Sequence, residues 1–127
     1  MRMWNVSPKL LCRKHLLGEH RETHALIGCI SRGKSIRGYI DKGLVEVHNI
    51  INRHNELVEE MVNRGYNHQS EIHTCELWRE GSVDVNANIL ELRKRCPECK
   101  ERIDKMFEKH ADKIKQKIMV YADMYAR

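Results

Sequence analysis

One phenylalanine, two prolines and two tryptophans stand in 127 residues. No apolar run exceeds about six residues, far short of the roughly 20 that a membrane-spanning helix needs. The start lacks the charged, then apolar, then small order of a secretory signal. An intracellular, cytoplasmic and soluble protein is therefore expected. No segment alternates apolar and polar residues as a half-buried strand would, and there is no repeat or low-complexity tract. The five cysteines (Cys12, Cys29, Cys75, Cys96 and Cys99) are odd in number and scattered. That is a poor disulfide framework and suits a reducing compartment.

What is present is helical periodicity. Ser7-Pro8 supplies a capping serine and a proline at the first helical position. Leu10, Leu11, Leu17, Ala25, Leu26 and Ile30 then recur at largely helical spacing to about Ser31. Gly33 to Gly43 reads as a loop. Leu44, Val47, Ile51, Val58 and Met61 follow the three-and-four rhythm of a buried stripe, and Arg64-Gly65 supplies its stop. Tyr66 to Asn86 is irregular. A shorter helix is predicted over Asn86 to Arg95, and Pro97 interrupts or restarts it. Ile103, Phe107, Ile114, Ile118 and Tyr121 mark a final helix. The expectation is an all-α fold: one compact domain over residues 1–127, a bundle of three to four helices with long connecting loops.

Charge is unevenly placed. The net charge is +5 overall. Residues 1–40 carry eight Lys/Arg against Glu19 and Glu22, a net +6, and the remainder nets −1. A basic region of this kind suits a phosphate-rich partner, because neutralising phosphates releases condensed counterions. A solvated basic face is the alternative.

Two motif matches are discounted. Gly28-Cys29-Ile30-Ser31-Arg32-Gly33-Lys34-Ser35 fits the phosphate-loop pattern, but that loop works only between a strand and a helix. Lys34 and Arg37 serve more naturally as contacts to a nucleic-acid backbone. Cys96-Pro97-Glu98-Cys99 has the spacing of half a zinc site. No second C-x-x-C exists, and His68, His73, Cys75 and His110 have no regular spacing to complete it. The pair reads as incidental thiols at a helix start, with a structural zinc as the alternative.

The chemistry concentrates at the chain start. An α-amine has an ordinary pKa of about 7.7–8.0, so about a third is neutral at pH 7.5 and able to attack an electrophilic carbon. Removal of an initiator methionine needs a small second residue, and Arg2 is large, so Met1 is expected to be the working terminus. On a helix, residues seven apart share a face, which stacks His15 with Glu22 and Lys14 with Arg21, with Glu19 between His15 and Glu22.

Met1-Arg2-Met3-Trp4, followed by Leu11-Cys12-Arg13-Lys14-His15-Leu16-Leu17-Gly18-Glu19-His20-Arg21-Glu22-Thr23-His24-Ala25, resembles the amino-terminal signature of the pyrimidine-dimer DNA glycosylases with abasic-site lyase activity. The likeness continues through Arg53-His54-Asn55-Glu56-Leu57-Val58-Glu59-Glu60-Met61 and into Arg64-Gly65-Tyr66-Asn67-His68. It implies a compact all-α monomer acting on damaged double-stranded DNA through an imine, with neither metal nor organic cofactor. It assigns the nucleophile to Met1 and the essential carboxylate to Glu22, and has Arg2, His15 and Arg21 hold the lesion and its phosphates. The best-studied members begin with threonine after methionine removal, whereas this chain presents Met1. A family arginine falls at Ala25, leaving His24 or Lys14 as substitutes, and the aromatic-rich tail is reduced to Tyr121 and Tyr125. From the residues alone, a non-catalytic basic module that grips nucleic acid is the competing expectation.

Overall fold

A computed structural model describes residues 1–68 and 71–125, with side chains to position 117 in the last helix. Its helices are α1 (Arg13–Ser31), α2 (Arg37–Asp41), α3 (Ile50–Asn63), α4 (Val85–Arg95) and α5 (Pro97–Tyr125). Single 3-10 turns at Pro8–Leu10 and Val47–Asn49 precede α1 and α3. No strand occurs among the described residues, and the predicted all-α class holds.

The first helix begins later than Ser7-Pro8 suggests. Ser7 makes no side-chain cap, and Leu11 and Cys12 are extended. Leu10, Leu11 and Cys12 are all buried, and three successive buried residues do not fit on one helical stripe. The chain therefore enters the core extended and becomes helical at Arg13.

The expected Gly33–Gly43 loop contains the short α2, whose Ile40 is buried. Helix α3 buries Ile50, Arg53, His54, Leu57, Glu60 and Met61, one position round from the predicted Ile51–Val58 stripe. The reason is polar: Arg53 takes a core position to reach Glu19. The end at Arg64-Gly65 is as expected. Gly65 sits at φ +80°, and the amides of Gly65 and Tyr66 bond the carbonyls of Val62 and Met61.

The described part of the segment between α3 and α4 is irregular, and its end at residues 80–83 lies against the stretch before α3. Val47 N donates to the Glu80 carbonyl at 2.9 Å, and Val83 N donates to Glu46 Oε2 at 2.8 Å. Gly81, at φ +93°, makes this approach possible, since a Cβ there would stand 2.1 Å from the Val45 carbonyl oxygen. Asp84 caps α4 by accepting from Ala87 N at 3.0 Å.

Two apolar clusters fill the interior. One joins Trp4, Leu11, Leu16, Leu57, Leu92 and Ile103, and the other joins Met3, Leu26, Ile40, Val45 and Ile50. Helix α5 contributes Cys99 and Ile103 and then leaves the core, with Phe107 and Ile114 exposed. Ile118, Tyr121 and Tyr125 lie outside the described side chains.

Between the clusters, Glu19 of α1 meets Arg53 of α3 with both side chains buried. Arg53 Nε and Nη2 grip the two carboxylate oxygens, and Nη1 donates to the Val6 carbonyl at 2.6 Å. Burial pushes the Glu19 pKa up, while Arg53 and the amides of Trp4 and Asn5 hold the proton off.

Removing one partner of a buried pair costs about 3–5 kcal/mol, because the survivor is left uncompensated. Glu19→Ala is therefore expected to lower the urea midpoint by that free energy at an unchanged m-value. Glu19→Leu combined with Arg53→Leu is expected to recover most of the loss. An unaltered midpoint in Glu19→Ala would contradict this account.

Candidate active site at the chain start

The first seven residues run antiparallel to α1, since Arg2 meets Glu22 while Trp4 and Asn5 meet Glu19. Arg2 N donates to Glu22 Oε2 at 3.0 Å. Met3 N donates to the Leu44 carbonyl at 2.7 Å, and the Met3 side chain is fully buried. The α-amine lies one residue, at most about 3.6 Å, upstream of the Arg2 amide, and so within about 7 Å of the Glu22 carboxylate. Met1 and Glu22 are both half-buried, and the Met1 side chain packs against the second apolar cluster.

Arg2 is firmly placed. Its guanidinium lies 3.7 Å from the centroid of the Trp4 ring, and Nη2 donates to Asn88 Oδ1 at 2.7 Å. Asn88 Nδ2 donates in turn to the Trp4 carbonyl at 2.8 Å. Arg2 Nε is buried without a hydrogen-bond partner among the described residues. Trp4 is buried and serves as a packing anchor. Asn88, on α4, thus joins the site although nothing in the local sequence marks it.

The remaining predicted site residues divide. Lys14, Arg21 and Lys34 are exposed, and none belongs to an ion pair among the described residues. Arg37 is also exposed, but it is held by both carboxylate oxygens of Glu80 and lies 3.7 Å from Asp41. The Arg37 guanidinium, helped by the Trp78 indole N–H, pulls the Glu80 pKa down to about 2. Its charge is thus already matched within the protein. The phosphate-loop match fails on context: Gly28 lies inside α1 and no strand precedes it.

His15 and His24 belong elsewhere. His15 Nδ1 lies 3.2 Å from Cys12 Sγ and 3.5 Å from Cys99 Sγ, and its ring meets Trp4 edge-on at 5.8 Å. Burial, then Lys14 and Arg95, lowers its pKa and favours the neutral ring. The thiols of Cys96-Pro97-Glu98-Cys99 are therefore not the isolated pair that their spacing suggested. Cys12 and His15 supply two further donors, and all four donor atoms lie within 4.8 Å of one another. The missed signal is Cys12-Arg13-Lys14-His15, a C-x-x-H pair that also straddles a helix start.

His24 faces His54, Nε2 to Nε2 at 3.1 Å, and His20 faces His68 at the same distance. These four imidazoles form a second group of donors within 4.8 Å. Burial, then the neighbouring imidazoles, lowers the His20 pKa to about 4. At 100° per residue His24 stands about 200° round α1 from Glu22, so it does not share the face of the chain start. A concavity of about 810 Å³, lined by residues from Lys9 to Asp112, includes neither Met1 nor Glu22.

An extended chain start is tied to a helix carboxylate, on a helix that also carries the exposed Lys14 and Arg21. A family model described as pyrimidine dimer DNA glycosylase matches residues 1–74, more than half of the chain. The protein belongs to that family, and its substrate class is DNA. No curated protein and no solved structure matches the chain. The matched region contains Met1, Glu22 and the four histidines but ends before Asn88, Cys96 and Cys99. No described helix is long and apolar enough to cross a membrane.

Asn88 holds both the Arg2 side chain and the Trp4 carbonyl, and an unsatisfied buried polar group costs about 1–3 kcal/mol. Asn88→Ala is expected to lose that much stability in urea and to speed aminopeptidase release of Met1. Release at the wild-type rate would show that Asn88 does not hold the chain start.

Proposed function

We propose that the protein excises a damaged pyrimidine from duplex DNA and then cleaves the abasic strand through an imine on Met1. The observation that carries this reading is the 3.0 Å hydrogen bond from the Arg2 amide to Glu22, which ties the chain start to the carboxylate of α1.

The steps follow from those two groups. The neutral α-amine attacks C1′, the bond from C1′ to the base breaks, and the base leaves with a proton. Opening of the sugar breaks C1′–O4′, O4′ takes up a proton, and a protonated imine forms between Met1 N and C1′. Glu22 faces this developing positive charge, stabilising it and moving the protons involved. Loss of a proton from C2′ then expels the 3′ phosphate by β-elimination. The residues alone supply this chemistry.

Arg21, Lys14 and Lys34 serve as phosphate contacts in this reading, being exposed and free of acidic partners among the described residues. Arg2 fixes the chain start through Trp4 and Asn88. His15 acts as a positioning residue through its sulfur neighbours, and His24 takes no part in holding the lesion. Arg37 is already neutralised by Glu80 and adds little to phosphate binding.

Borohydride reduction in the presence of abasic or thymine-dimer duplex tests the proposal, after intact mass has confirmed Met1 as the terminus. The expected product is a covalent protein–DNA adduct whose peptide map ends at Met1. Glu22→Gln is expected to lower cleavage by about 10²–10⁴-fold while binding persists. Residues added before Met1 are expected to abolish trapping. An adduct on a lysine, or full cleavage by the extended chain, overturns the mechanism. Binding with no adduct on either duplex favours the non-catalytic module instead.

A further inference from the structure

We propose that Cys12, His15, Cys96 and Cys99 bind one zinc ion in a closed structural site. Cys12 is the N-cap of α1 and His15 lies in its first turn; Cys96 separates α4 from α5 and Cys99 lies in the first turn of α5. Two short spacings, C-x-x-H and C-x-x-C, thus meet from positions 84 residues apart.

Distances separate a metal site from a chance meeting of thiols. Zinc–sulfur bonds of about 2.3 Å and zinc–nitrogen bonds of about 2.0–2.1 Å, set tetrahedrally, put sulfurs about 3.8 Å apart and sulfur about 3.5 Å from nitrogen. Cys12 Sγ lies 3.8 Å from Cys96 Sγ, and His15 Nδ1 lies 3.2 Å from Cys12 Sγ and 3.5 Å from Cys99 Sγ. A disulfide would need about 2.05 Å, and all five cysteines are free.

The surroundings suit thiolates. Cys12 N donates to Cys99 Sγ at 3.3 Å, and Cys99 N donates to Cys96 Sγ at 3.4 Å. Such amide bonds orient and stabilise ligating sulfur. The starts of α1 and α5 both present their positive ends here, which favours the anionic form. With four protein donors no position stays open, so the site is structural rather than catalytic. It would fasten α1 to the α4–α5 corner, and α4 carries Asn88 to the chain start.

Wild-type protein saturated with zinc under reducing conditions and then desalted tests this. Titration with a mercurial thiol reagent, read with a zinc indicator, is expected to release one equivalent per chain. Cobalt in place of zinc is expected to show a thiolate charge-transfer band, and Cys96→Ser with Cys99→Ser is expected to abolish it. No thiol-releasable zinc in the wild type, or cobalt bound without that band, overturns the proposal.

A separate set of contacts carries a second site. We infer that His20, His24, His54 and His68 hold a first-row divalent ion through nitrogen alone. Their Nε2 atoms pair at 3.1 Å across two couples, close to the roughly 3.3 Å edge of a tetrahedral four-nitrogen site. Asn55 Oδ1, 3.0 Å from His54 Nδ1, accepts that N–H and leaves the Nε2 lone pair directed inward. Imidazole suits zinc, nickel and copper.

In zinc-saturated wild type, a second equivalent is expected to survive the mercurial and to leave on acidification. His54→Gln with His68→Gln is expected to lose only that equivalent and to keep the mercurial-released one. A wild type that holds no mercurial-resistant zinc overturns this second site, as does a double variant that keeps it.

Discussion

The buried contact between Glu19 and Arg53 is the constraint on which the active-site geometry depends. It is made between α1 and α3, the two helices that pack along each other, and each partner also reaches the chain start. Glu19 faces the amides of Trp4 and Asn5, and Arg53 holds the Val6 carbonyl. An extended segment with no helix of its own is thereby held in register with α1. Glu22, one turn on, then meets the Arg2 amide. Fully burying a leucine stabilises by about 1.5–3 kcal/mol, so apolar packing alone would hold these helices together. It would not choose which backbone atoms of the first seven residues face which carboxylate. The ion pair supplies that choice.

Apolar packing and metal donors divide the rest of the work. Met3 goes into one cluster and Trp4 and Val6 into the other, so the chain start is anchored on both sides of the ion pair. Asn88 closes the arrangement from α4. The proposed zinc would act on the same helix from its far end, and the proposed histidine site would act on the opposite face of α1. Neither donor set includes Met1 or Glu22.

Much of this was legible in the residues. The all-α class, the end of α3 at Gly65 and the irregular segment after it followed from periodicity and turn chemistry, and the meeting of the chain start with Glu22 from the family resemblance alone. Other features were hidden for identifiable reasons. The pairing of Glu19 with Arg53 was not foreseen, because a buried ion pair breaks the apolar rhythm that marks a core position. Cys96-x-x-Cys99 looked incidental and Cys12-x-x-His15 went unnoticed, because half a donor set carries no information until the fold joins the halves. His20 and His24 share a helical face, but their partners come from α3 and the segment beyond it. Asn88 has no local signature at all.

Helix α5 has one more consequence. Among the described side chains its last core residue is Ile103, yet the helix continues to Tyr125, about 33 Å further at 1.5 Å per residue. Such a projection adds drag out of proportion to a mass of 15.1 kDa. A column calibrated with round proteins would overstate the mass of a single chain. Only a measurement sensitive to mass itself, such as light scattering, would report the stoichiometry in solution.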